Sequence, residues 1–176
     1  MPIRKWFVVP MATLLVAQLS CAASTTYPQE VSLKEARTIL GTALPVPTYL
    51  PQGHAINQVY VTSKDTVLLI IGVAGAQPSA ETSAPPPGEI RMRIQWWNDF
   101  VPGGLKIPGE RVSVGGTSGV FWDQGDHYSL LWQPLDTTRQ GQFDLALTAS
   151  KNVSKDEILK IANSVTQLPP SGQVGC

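Results

Sequence analysis

The stretch from Glu89 to Trp97 constrains this chain more than any other, because it alternates without a break: Ile90, Met92, Ile94 and Trp96 fall on one side, Arg91, Arg93, Gln95 and Trp97 on the other. A period of two is the signature of a β-strand with one buried face. An unpaired strand leaves its amides without partners, so this segment demands neighbours and a packing layer over its apolar side.

Those neighbours are legible on both sides. Ile56 to Thr62 and Val67 to Val73 are β-rich runs separated by Ser63, Lys64, Asp65 and Thr66, which predicts an antiparallel hairpin. Val67 to Ile71 is apolar on both faces and is expected to run centrally in the sheet. Further along, Arg111 to Val114 and Thr117 to Trp122 flank Gly115 and Gly116, a pair suited to a two-residue turn. Asp123, Gln124, Gly125 and Asp126 form another turn before His127 to Gln133, and Gln142 to Ala149 is the last predicted strand. Two segments, Ala74 to Gly88 with its three consecutive prolines and Asn98 to Gly109, read as loops.

Helices bracket the strands. Ser32 with Glu35 spells a capping box, with Leu33, Ala36, Ile39 and Leu40 on one face and Gly41 as the stop. Ser154 with Glu157 repeats the box, followed by Ile158, Ile161, Ala162 and Val165 and ended by Pro169 and Pro170. Between the first helix and the sheet, Pro45, Pro47 and Pro51 impose an extended strap that ends at Gly53. The expectation is an α+β fold: an antiparallel meandering sheet of about seven strands with two short helices on one face.

The N-terminus predicts a compartment. Arg4 and Lys5 precede an apolar run from Trp6 to Val16, and Ser20 precedes Cys21, matching the zones of an export signal. The expected organisation is a signal peptide over 1–20, a tether over 21–30, one domain over 31–168 and a tail over 169–176. Ser20 suits a lipoprotein cleavage site, whereas Gln18 stands where leucine is preferred. Acylation of Cys21 is therefore expected, which would anchor the protein through a two-chain lipid. A soluble secreted form and an uncleaved anchor are the alternatives. Cys21 and Cys176 are the only cysteines, too few for a disulfide framework or a thiolate metal site.

Charge narrows the partners. The chain carries 13 basic and 13 acidic residues, and removal of Arg4 and Lys5 leaves 11 against 13, a net charge of −2. No basic surplus attracts nucleic acid. His54 and His127 are the only histidines, no Gly-x-Ser-x-Gly elbow accompanies them, and a strand placement would point Asp126 away from His127. No catalytic residue, metal ligand or cofactor is expected. The Asp123 to Asp126 segment reads as a turn, not a calcium loop, and Ser154 of the Asn152-Val153-Ser154 sequon reads as a helix cap. Trp97 beside Arg91 and Arg93 is the candidate floor of a ligand groove, with cover by Phe100, Val101 and Leu105 as the alternative.

The segment VSLKEARTILGTALPVPTYLPQG from Val31 to Gly53 and the segment SKDEILKIANSV from Ser154 to Val165 resemble the two ends of a bacterial extracytoplasmic domain family of unknown function. In that family a capped helix leads into a Pro-x-Tyr-Leu-Pro-x-Gly strap and a second capped helix closes the domain. The resemblance implies a place in envelope lipoproteins or on the outer side of anti-sigma-factor-like membrane proteins, and it transfers no catalytic residue. A non-enzymatic envelope sensor or accessory binding module is the expected function. The alternatives are a lipid or lipoprotein carrier with a cavity lined by Met92, Ile94 and Trp96, a small secreted hydrolase using His54 or His127, and a purely structural envelope protein.

Overall fold

A computed structural model describes residues 27–40, 44–76, 84–97, 108–133 and 142–168. The elements run β1 (Gln29–Glu30), α1 (Leu33–Leu40), β2 (Leu44–Pro47), β3 (His54–Ser63), β4 (Thr66–Val73), β5 (Ile90–Trp97), β6 (Glu110–Val114), β7 (Thr117–Asp123), β8 (His127–Trp132), β9 (Gln142–Ser150), α2 (Lys155–Asn163) and β10 (Val165–Leu168). The fold is α+β: an antiparallel sheet of eight strands with two helices.

The strand order is β1-β3-β4-β5-β9-β8-β7-β6. Two meanders, β3 to β5 and β6 to β9, are therefore joined edge to edge by the pairing of β5 with β9. Each hairpin follows its turn chemistry. Gly115 and Gly116 have φ of 56° and 81°, and Val114 pairs with Thr117, so the mirror-image turn matches the twist of β6 and β7.

One face of this sheet carries the core. Val59 and Val61 of β3, Val67, Leu69 and Ile71 of β4, and Ile90, Met92 and Ile94 of β5 are buried on it, continued by Phe121, Leu130, Trp132, Phe143, Leu145 and Leu147. Ala36 of α1 and Ile158, Ile161 and Ala162 of α2 close over it. Each side chain withdrawn from water in this way contributes about 1.5–3 kcal/mol for a residue of Val to Phe size. Trp96 packs edge-on against Phe143, with centroids 4.6 Å apart and an interplanar angle of 79°.

The helix starts hold as expected, with one division of labour. Ser32 N donates to Glu35 Oε2 at 2.8 Å and Glu35 N to Ser32 Oγ at 3.1 Å, a complete capping box. At α2, Glu157 N donates to Ser154 Oγ at 3.2 Å, but the Glu157 carboxylate accepts instead from Tyr49 Oη at 2.6 Å and Lys160 Nζ at 3.2 Å.

Three local expectations are corrected. Ile39, expected in the packed stripe of the first helix, is 41% exposed, whereas Ala36 is buried in the core and Leu33 packs against it. Val165, assigned to the second helix, lies beyond the C-cap Ser164 and opens β10. The proline strap does more than lead inward: its residues Leu44 to Pro47 form β2, which pairs antiparallel with β10 in a separate two-stranded sheet. Prolines are tolerated there because a two-stranded ribbon leaves alternate amides unpaired. Among the described residues no helix is long and apolar enough to cross a membrane. The expected signal over 1–20, Cys21, Gly41, Cys176 and the prolines at 169 and 170 lie outside the described residues, as do 98–107 of the loop 98–109 and 77–83 of the loop 74–88.

Candidate functional site

The sheet has a second face, turned away from both helices, and alternation decides which side chains occupy it. Ladder pairing aligns them in two rows across the strands. One runs Tyr60, Leu68, Arg93, Ala146, Leu131, Val120; the other runs Gln58, Ile70, Arg91, Thr148, Ser129, Trp122. In the second row the long Arg91 on β5 and Trp122 on β7 thus flank the smaller Thr148 on β9 and Ser129 on β8. Backbones of β5 and β7 are three strand spacings apart, about 14 Å.

That contrast in side-chain size makes a hollow. It measures about 350 Å³ and is lined by Leu68, Arg91, Arg93, Trp122, Ser129, Leu131, Ala146 and Thr148 together with backbone-facing parts of Leu130 and Leu147. Its volume lies within the range of about 300–1,000 Å³ typical of small-molecule sites. The two arginines at its rim differ. Arg91 Nε donates to Glu89 Oε1 at 2.7 Å, and both side chains are largely enclosed, at 15% and 8% exposure. Arg93 is exposed and has no ion-pair or hydrogen-bond partner among the described residues. Asp144, one pair along the strand, is occupied by Gln133 Nε2 at 2.6 Å.

The opposite wall is Trp122, and a glycine sets its position. A Cβ on Gly109 would sit 2.6 Å from Val120 Cγ1, 2.9 Å from Phe121 O and 3.0 Å from Trp122 Nε1. Only a bare backbone fits under the indole there.

Of the residues the sequence nominates for a groove, Arg91 and Arg93 line this hollow together. Trp97 pairs through its backbone with Gln142 at the end of β5, but its side chain lies outside the described residues, as do Phe100, Val101 and Leu105. Trp122 is the aromatic that sequence reasoning passed over in favour of Trp97. Alternation from the buried Phe121 would have put it on the open face; its position across from Arg91 needed the strand order.

The histidines are held by local contacts. His54 presents Nδ1 to Gln52 O at 3.3 Å and Nε2 to Gly88 O at 3.0 Å, so its ring ties the start of β3 to the turn before β5. His127 is the correction. Asp126 sits in the expected turn before β8, where strand alternation does not apply, and its Oδ1 lies 2.6 Å from His127 Nδ1, so the two side chains touch instead of diverging. The hydrogen bond from His127 holds the Asp126 carboxyl below its ordinary range. Among the described residues no hydroxyl bonds to the other ring nitrogen of His127.

The acidic turn is likewise internally satisfied. Asp123 Oδ1 accepts from Gly125 N at 2.9 Å and pairs with Lys151, whose ammonium also lies 3.8 Å from the Tyr128 ring centroid. The Lys151 hydrogen bond, then that of Gly125, lowers the Asp123 pKa. Among the described residues no three His, Cys, Asp or Glu side chains converge on a metal position.

No family model matches this sequence, and no curated protein does.

Met92 and Ile94 are 0% and 2% exposed inside the helix-covered core. Both belong to the core cluster that α1 and α2 cover.

Proposed function

We propose that this protein is a non-enzymatic, extracytoplasmic binding module, held at the membrane by a lipid on Cys21, that acts as an envelope sensor or accessory protein. One observation carries the binding part of this reading: the open face of the sheet holds a hollow with Arg93, which has no partner among the described residues, at its rim and a half-buried tryptophan, Trp122, at its wall. The histidine contacts support the non-enzymatic reading, since the His54 ring lies against the carbonyls of Gln52 and Gly88, to one of which a neutral imidazole can donate, and His127 pairs with Asp126. The compartment part rests on the signal-like segment ending at Cys21 and on the family resemblance of Val31 to Gly53 and Ser154 to Val165.

Two measurements test it separately. Mass spectrometry of the mature N-terminus is expected to find Cys21 as a diacylglyceryl thioether; an unmodified terminus at Ala22 or Ala23 overturns the anchor. Backbone amide shifts read across a panel of glycans, peptides and lipids are expected to move at Arg93, Ser129, Ala146 and Trp122. A panel that moves none of them overturns the binding module.

A further inference from the structure

We infer that the open-face hollow takes a short carboxylate-bearing saccharide, an inference that rests on the binding-module reading and assigns its ligand class. Charge is the first argument. Glu89 neutralises Arg91, and Arg93 is the cation lining the hollow that has no ion-pair partner among the described residues; Asp144, which accepts from the Gln133 amide, is not part of the lining. The planar guanidinium fork of Arg93 matches a carboxylate through two parallel hydrogen bonds.

The floor is the second. Ser129 and Thr148 stand directly opposite each other on β8 and β9, both half-buried. Neither hydroxyl bonds to another described residue. Each can both donate and accept, which suits the hydroxyls of a sugar and leaves an acyl chain facing polar groups it cannot satisfy. Trp122, on the far wall, offers a flat apolar plate for the C–H face of a sugar ring.

Position in the sheet argues against a peptide. The hollow lies over β5, β9, β8 and β7, interior strands that each pair with a neighbour on both sides, so none of them is an edge strand. A peptide bound by strand addition reads an exposed edge through main-chain hydrogen bonds, and none is offered here. Recognition must run through side chains: one guanidinium, two hydroxyls and one indole.

The test uses the full chain, isotope-labelled, titrated with trigalacturonate, its fully methyl-esterified counterpart and triglutamate. Saturable shifts at the amides of Arg93, Ser129, Ala146 and Trp122 are expected with trigalacturonate. Esterification and Arg93→Gln should each weaken binding by about tenfold, the scale of one charge-assisted contact. Arg93→Gln should leave the affinity for the ester unchanged, Trp122→Leu should weaken both sugars, and Lys64→Gln, on an exposed turn, should weaken neither. Equal affinity for acid and ester, or undiminished binding by Arg93→Gln, overturns the carboxylate assignment. Triglutamate bound at the same amides as tightly as the sugar overturns the saccharide class while leaving the binding module standing. Silence of all three probes overturns this inference, and the wider panel then decides the module.

Discussion

The Tyr49 hydroxyl donates to Glu157 Oε2 at 2.6 Å, bridging 108 residues of chain between the proline strap and α2. Around that contact the strap clasps the helix end: Thr48 Oγ1 donates to Ser164 O at 2.8 Å and Tyr49 N to Ser164 Oγ at 3.0 Å. The hydrogen bond from Tyr49, then that from Lys160, lowers the Glu157 pKa beneath its ordinary 4.5, while the same bond raises Tyr49 above its ordinary 10.0. A carboxyl with a depressed folded pKa stabilises the fold above its unfolded value and loses that contribution as pH falls through the folded value. The stability gap between the native chain and Tyr49→Phe should thus be fully open near neutral pH and narrow below 4.5. It should narrow again as pH rises beyond 10.0 and the phenol ionises. Urea denaturation across pH checks this; a gap independent of pH removes the role assigned to the pair.

Ser154 holds the first turn of α2 through Glu157 N, and α2 supplies Ile158, Ile161 and Ala162 to the core. Ser154→Ala should cost about 1 kcal/mol, with Ser154→Asp restoring most of it. The midpoint of chemical denaturation reads both.

Gly109 has φ of 153° and no room for a Cβ between Val120, Phe121 and Trp122. Gly109→Ala should destabilise the protein by about 2 kcal/mol through overpacking and displace the indole of Trp122. The indole N–H resonance of Trp122 should move along with the loss of stability. A variant as stable as the native chain with that resonance in place would show that the close approach does not position the tryptophan.

Glu89 is 6% exposed and ion-paired with Arg91. Glu89→Gln should cost about 3 kcal/mol, because a partly buried guanidinium is left without its carboxylate. Replacing both, as Glu89→Gln with Arg91→Leu, should recover part of that loss. A double-mutant cycle by denaturation measures the coupling.

Much of this molecule is written locally. The serines at 32 and 154 announce helix starts, Gly115 and Gly116 announce a hairpin, and the alternation from Ile90 to Trp96 announces which side of β5 is buried. Such signals travel through a few bonds of backbone, so a linear reading captures them, and it captured the α+β class and the antiparallel sheet as well. Only the tertiary structure decided that β9 inserts between β5 and β8, that Leu44 to Pro47 pairs with Val165 to Leu168, and that Glu157 reaches across to Tyr49 instead of back to its own cap. The hollow belongs to this second group, because Arg91 and Trp122 face each other solely through the order of four strands. Strand order is settled by competition among distant pairings that share the same local pattern, and side-chain periodicity along one segment carries no record of which neighbour wins.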